Sequence, residues 1–350
     1  DRDILDGRFD IAVMVYEKFK ALLTVAPGMA ARLGVVVVDE LQILGERERG
    51  AVADLLLAKL LSGGHSVQIV ALSAVLGDGG RLGTWIGGDF LQWRERPVEL
   101  REGVLRLPEG VFAYREQNSG AEGGEQILAT DTCAGGEEQF HMPAIQLLAG
   151  TLADRGEQVL VFVPTRHLCR QWAWQFSRDR DFAPPAGLRD ERDALLARLD
   201  QHEESHSREI LAQCFARGIG IHNADVPADL RRMVEDAFRS GVLRVLVATS
   251  TLAQGVNLRC RNVVSVPVMV GEDGAGGPPG FVPLSRQRFR NQGGRAGRLS
   301  GGDDFGRSIL VAGDAAEAGH LEREYVRGGL EDLGEPIRAD RKSTRLNSSH

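Results

Sequence analysis

Six short runs of Val, Ile and Leu constrain this chain more than any other feature. They are LGVVVVDE (33–40), SVQIVALSA (66–74), EQVLVFVPTR (157–166), LRVLVATS (243–250), NVVSVPVMV (262–270) and RSILVAG (307–313). A strand with one wet face alternates apolar and polar residues. Near-continuous β-branched runs instead predict strands buried on both faces, hence a parallel sheet covered by helices on each side. The runs are separated by turn residues and helical patterns. In Pro227–Arg239, for example, Leu230, Met233, Val234, Ala237 and Phe238 fall at i, i+3, i+4, i+7 and i+8, a core-facing stripe. Pro227 suits its first turn. The expected architecture is α/β.

At 350 residues the chain is long enough for two domains. Residues 95–126 break the rhythm and end in a polar, Gly-rich stretch, which reads as a connection between two α/β lobes. A second break, 178–210, is highly charged with paired prolines at 184 and 185, and reads as a surface helical insertion in the second lobe. The expected division is a partial first lobe at 1–105, a connection at 106–139 and a second lobe at 140–318. The chain opens at Asp1, without a Met, in what reads as the middle of a domain. Its last ten residues, RKSTRLNSSH, are polar and patternless and read as a non-native tail. A fragment of a longer protein is expected.

A net charge of -7 offers no global basic field for nucleic acid, so such a partner needs a locally basic cleft. Cys133, Cys169, Cys214 and Cys260 lie far apart with no C-x-x-C pair, which argues against a zinc ribbon or a disulfide framework and fits a reducing cytoplasm. No apolar run has the length of a membrane span, and no signal peptide is visible.

Four stretches carry chemistry. VVVVDELQ ends a buried strand in two adjacent carboxylates, Asp39 and Glu40, at the sheet edge where open α/β proteins bind ligands. Asp39 can hold a magnesium ion through its water shell, and Glu40 can orient and deprotonate a water attacking a γ-phosphate. An ordinary acidic loop after a strand would look the same. ALSAV places Ser73 at the same edge, where a hydroxyl can bond a neighbouring carboxylate. LVATSTLAQGVNL sets Thr249, Ser250 and Thr251 where a strand turns into a helix, a natural phosphate site. A plain N-cap would explain Ser250 or Thr251, but not the run. RNQGGRAGR places Arg295 and Arg298 at i and i+3, sharing one helical face, beside Gly293 and Gly294, which allow close approach. Guanidinium groups fork onto phosphate oxygens and stabilise a transferring phosphoryl group; solvated surface arginines are the plainer alternative. No G-x-x-x-x-G-K-[ST] loop occurs in the chain.

Taken in order, VVVVDELQ, LSAV, VLVFVPTR, GIGIHNADV, VLVATSTLAQGVNL and RNQGGRAGR resemble the superfamily 2 DEAD/DExH-box helicases, most of all the DExH branch with a winged-helix domain after two RecA-like lobes. The resemblance runs from about Phe9 to Gly313. VMVYEKFKALL (13–23), with Lys18, is similar to that family's nucleic-acid-contacting segment. It implies two RecA-like parallel-sheet lobes, the first incomplete, with ATP and Mg2+ as cofactors and DNA or RNA as partner. It implies that Asp39 and Glu40 serve magnesium and water, that Ser73 and Gln42 couple nucleotide state to strand binding, and that Arg295 and Arg298 are arginine fingers. Gly255, Asn257 and Asn291 would touch nucleotide; Lys18, Thr165, Arg166, His222 and Thr249 would contact nucleic acid. Residues 319–340 would open the winged helix, and the phosphate loop would precede residue 1. The chain departs from the family pattern at Gln42, where His or Asp is usual, at Asn291, where Gln or His is usual, at Asn223 in place of a second His, and at Val75 in place of the Thr of SAT.

Two other readings remain. HEESH (202–206) formally matches the H-E-x-x-H zinc-protease pattern, with Glu203 as base and His202 and His206 one turn apart, although DQHEESHSRE is polar all round where a zincin helix is largely apolar on one side. A helicase-like module that binds nucleic acid without hydrolysing ATP is the other.

Overall fold

A computed structural model of the chain describes residues 2–45, 47–62, 66–73, 79–93, 95–130, 139–182, 184, 186–202, 206–253, 258, 260–271, 280–297 and 304–329. Two compact units emerge: one built from the first 92 residues, the other from Trp93 to Gly328.

The first unit contains helices α1 (Arg2–Leu5), α2 (Tyr16–Val25), α3 (Arg47–Ser62) and α4 (Gly79–Ile86), with strands β1 (Val35–Val38) and β2 (Gln68–Ala71). The two strands pair in parallel, Val35 opposite Gln68 through Val38 opposite Ala71. Val36 and Val38 join Leu22 and Leu23 of α2 and Leu56, Leu57 and Leu60 of α3 in one core. The other face of β1 differs from expectation: Val35 is 53% and Val37 58% exposed. The helices described in this unit cover one side of the strand pair, so alternate valines of an all-apolar run face outward.

The second unit is built on an eight-stranded sheet in the order β5-β4-β3-β12-β9-β6-β8-β7. Its strands are β3 (Glu99–Arg106), β4 (Val111–Glu116), β5 (Glu122–Gln126), β6 (Val159–Phe162), β7 (Ile219–His222), β8 (Val245–Ala248), β9 (Asn262–Ser265) and β12 (Phe305–Ala312); β10 (Val268–Val270) and β11 (Phe281–Pro283) form a separate antiparallel ribbon. From β3 to β7 every neighbour is parallel. Every residue of β6, β7, β8 and β9 is buried, as expected of strands covered on both faces. The helices are α5 (Met142–Asp154), α6 (Arg166–Asp179), α7 (Arg189–Leu199), α8 (His206–Ala216), α9 (Ala228–Ser240), α10 (Arg286–Gly293) and α11 (Ala315–Leu321). On α9 the buried residues are the five of the predicted stripe, and Pro227 stands at the N-cap.

Three segments are more ordered than their composition indicates. Residues 95–126, read as a connection, supply β3, which pairs with β12, and the antiparallel hairpin β4–β5 beyond it. The charged stretch 178–210 is not wholly superficial: Leu195 and Leu199 of α7 sink into the same core as Leu211, Cys214 and Phe215 of α8. Beyond residue 318, Leu321, Tyr325 and Val326 pack with Leu310 and Ala312 of β12 and Val104 of β3, so the second unit runs on past α11.

Candidate functional site

In the first unit, parallel pairing continues past the strand ends. Leu72 N–H donates to Val38 O at 2.8 Å and Leu41 N–H to Leu72 O at 2.9 Å. This sets the residues after β1 beside those after β2. Asp39 and Glu40 stand exposed at the edge, with the Glu40 N–H bonded to Asp39 Oδ1 at 2.9 Å. Tyr16 of α2 donates its hydroxyl hydrogen to the Asp39 carbonyl. Glu40 has φ 55°, a left-handed backbone that a residue with a Cβ adopts at a cost of about 1 kcal/mol or more, and that recurs at functional positions. The side chains form a line. Gln42, 3% exposed, donates its amide to Glu40 Oε2 and accepts through Oε1 from the Ser73 hydroxyl. The sequence suggested that Ser73 could bond a carboxylate; the structure interposes Gln42. Val75 lies outside the described residues.

In the second unit, β6, β8 and β7 end on one row, because Phe162 and His222 both pair with Ala248. Thr165, Thr249 and the turn after His222 therefore meet at one edge, though they lie far apart in sequence. Thr165 caps α6, its Oγ1 accepting from Leu168 N–H at 3.1 Å. Arg166 reaches Asp225 at 2.7 Å, and Arg170, one helical turn on, reaches the other oxygen of Asp225 at 3.2 Å. Asn223 Oδ1 accepts from the Asp225 N–H at 2.9 Å, fixing that carboxylate in a short side-chain turn. Thr249 N–H donates to His222 O at 3.1 Å, and its residue is 6% exposed. His222 is buried, with Nε2 2.9 Å from Glu235 Oε1. Burial holds its pKa below the ordinary 6.5, against the pull of Glu235. From this position its ring supports the turn rather than presenting itself at the surface. Sequence reading overlooked Asp225 and Arg170; the N-x-D after a strand and the repeat of arginine at i+4 are the signals that could have shown them.

The RNQGGRAGR stretch departs from expectation. Helix α10 ends at Gly293, and Arg295 lies in a turn beyond it. Two glycines stop the helix, and the chain then runs beside Cys260: Cys260 N–H donates to Arg295 O at 3.0 Å and Gly297 N–H to Cys260 O at 2.8 Å. The close approach that Gly293 permits is to β12, since a Cβ there would sit 2.6 Å from Ser308 Oγ. Asn291 is half-buried on α10. The turn lies against the amino end of β9, apart from the edge that carries Thr165 and Thr249. Lys18 is exposed on α2, in the first unit.

Gly255, Asn257, Arg298 and Glu203 lie outside the described residues. Of the HEESH pair, His202 Nδ1 is 3.1 Å from Asp229, and α8 begins at His206. Among the described residues no three His, Cys, Asp or Glu side chains cluster to hold a metal, and no helix is long and apolar enough to cross a membrane.

Residues 188–300 match the helicase conserved C-terminal domain. The ATP-dependent DNA helicase Hel308 of Pyrobaculum calidifontis is 35% identical over 341 residues, covering 95% of this chain and 44% of that protein. The Hel308 of Caldivirga maquilingensis is 31% identical over 324 residues, 92% of this chain and 40% of that protein. The Hel308 of Methanocella arvoryzae is 30% identical over 332 residues, 95% of this chain and 42% of that protein. The chain thus spans less than half the length of these relatives.

Proposed function

This chain belongs to the superfamily 2 DExH-type helicases, and from that premise we propose that in the full-length protein it forms part of an ATP-dependent nucleic-acid helicase or translocase. The observation that carries the proposal is the hydrogen-bonded line Glu40–Gln42–Ser73. It joins a carboxylate suited to activating water with the hydroxyl that ends the neighbouring strand, so a change at one can be felt at the other.

In this reading Glu40 orients the attacking water and takes its proton, and Asp39 would hold the magnesium ion. An exposed carboxylate steadied through one oxygen by a backbone N–H suits a hard cation that keeps its water shell. The ion would neutralise charge on the phosphates. Arg295 and Arg298 would stabilise the transferring phosphoryl group, with Gly255, Asn257 and Asn291 against the nucleotide. Thr165, Arg166 and Thr249 would grip the nucleic-acid backbone, held in shape by His222, Asn223 and Asp225; Lys18 would also contact nucleic acid. The names of the relatives make DNA the strand to test first, and the cytoplasm is the proposed compartment.

Glu40→Gln in the full-length protein should abolish ATP hydrolysis while leaving ATP binding intact. Turnover at the normal rate by that variant would remove Glu40, and with it the line to Ser73, from the reaction.

A further inference from the structure

The turn that carries Arg295 is tied to a buried charge that no motif includes. Glu102 lies on β3, opposite Ser308 of β12, and is 5% exposed. An ionised carboxylate in such a place needs cations close by. The nearest is Arg290 of α10, with NH1 3.7 Å from Glu102 Oε2. The second positive charge acting on Glu102 is Arg96, whose NH2 donates to Ala296 O at 2.9 Å and to Gly294 O at 3.4 Å, the carbonyls on either side of Arg295. Burial raises the pKa of Glu102, and these two arginines pull it back. One buried acid therefore lies beside the arginine that leads into the turn and within the field of the arginine that clasps it. Gly293 pressed against Ser308 closes the same corner, leaving the helix end little room to shift.

We propose that Glu102, through Arg290 and Arg96, is the positioning residue for Arg295 and sets the aim of that guanidinium for phosphoryl transfer. The inference rests on the arginine-finger reading above. The carboxylate pairs with Arg290 on the helix that leads into the turn, and its charge acts on Arg96, which holds the carbonyls on either side of Arg295. Displacing a transition-state contact by a fraction of its length costs turnover, while ground-state nucleotide binding through other contacts persists.

Nucleic-acid-stimulated ATP hydrolysis by the full-length protein tests this with four forms: wild type, Glu102→Gln, Arg295→Ala and the double variant. Glu102→Gln keeps the shape and removes the charge, so its thermal midpoint should stay near that of wild type. Its kcat should fall between about tenfold and a hundredfold with KM for ATP unchanged. The double variant should be no slower than Arg295→Ala alone, because the two act through one contact. Wild-type turnover by Glu102→Gln beside a crippled Arg295→Ala overturns the positioning role and leaves the finger intact. So does a loss at Glu102 that multiplies in full with the loss at Arg295. Wild-type turnover by Arg295→Ala overturns the finger itself, and the positioning role with it.

Discussion

At the scale of single residues, Gln42 is the middle of the hydrogen-bonded line. It touches Glu40 on one side and Ser73 on the other, and its amide supplies both a donor and an acceptor. Gln42→Leu keeps the bulk and removes both bonds. Hydrolysis without nucleic acid should persist while stimulation by added single-stranded DNA drops toward none; the ratio of the two rates reads it directly. Undiminished stimulation would show that coupling bypasses Gln42. His222 makes a second residue-scale prediction. Its folded pKa lies below the ordinary 6.5, so above that value both folded and unfolded forms are neutral and its contribution is complete. As pH falls below 6.5 the unfolded chain takes up the proton first, and stability is lost until the folded value is passed. Urea midpoints at about pH 7.5 and about pH 5.5 should therefore diverge less for His222→Gln than for wild type. Residue identity made Asp39, Glu40 and Ser73 legible in the sequence, because strand ends are where ligands bind. Gln42 was named only through the resemblance, and its bonds to Glu40 and Ser73 were not legible, since they depend on the pairing of two strands far apart in sequence.

At the scale of elements, the β4–β5 hairpin shows what composition hides. Residues 111–126 hold few apolar side chains, yet they extend the sheet, because charge fastens them beside the one buried anchor, Phe112. Arg307 of β12, 3% exposed in its side chain, donates twice to Glu125 of β5 at 2.8 Å, once to Glu157 at 2.8 Å and once to Asn262 of β9 at 2.8 Å. Its guanidinium also lies 4.7 Å from the Phe305 ring centroid. Burial alone would raise the Glu125 carboxyl, but Arg307 and then Arg155 more than reverse it, leaving its pKa below the ordinary value. Arg307→Leu leaves Glu125 and Glu157 facing each other's surroundings without their shared cation. It should cost about 3–5 kcal/mol by urea denaturation, since one partner of a buried pair is removed and the others stay. A cost below about 1 kcal/mol would mean that the hairpin is held by its backbone ladder alone. Helix α9 is the opposite case: its stripe was readable residue by residue, because a 3.6-residue period needs no knowledge of the partner. The turn at Arg295 was misread as helix for a related reason. Spacing of i and i+3 describes a helical face only where the helix continues, and Gly293–Gly294 ends it.

For the whole molecule, alternation of runs and helices was enough to read an α/β protein with two bodies, and its six runs fall on strands, while β3, β4, β5, β7 and β11 went unread. It could not show the order in which those strands lie, because order depends on pairings between segments far apart in the chain. The strand order has its own consequence in time. β12, the last strand of the sheet to be synthesised, does not lie at an edge but between β3 and β9. Until it is made, the sheet exists as two pieces: the three-stranded β5-β4-β3 and the four-stranded β9-β6-β8-β7. β3 ends at Arg106 and β12 begins at Phe305, about 200 residues later. At ribosomal rates of about 5–20 residues per second, β3 waits about 10–40 s beside an open edge before its partner emerges. Newly made chains should therefore pass through a window of vulnerability to proteases and to one another, which closes when the final strand slides home.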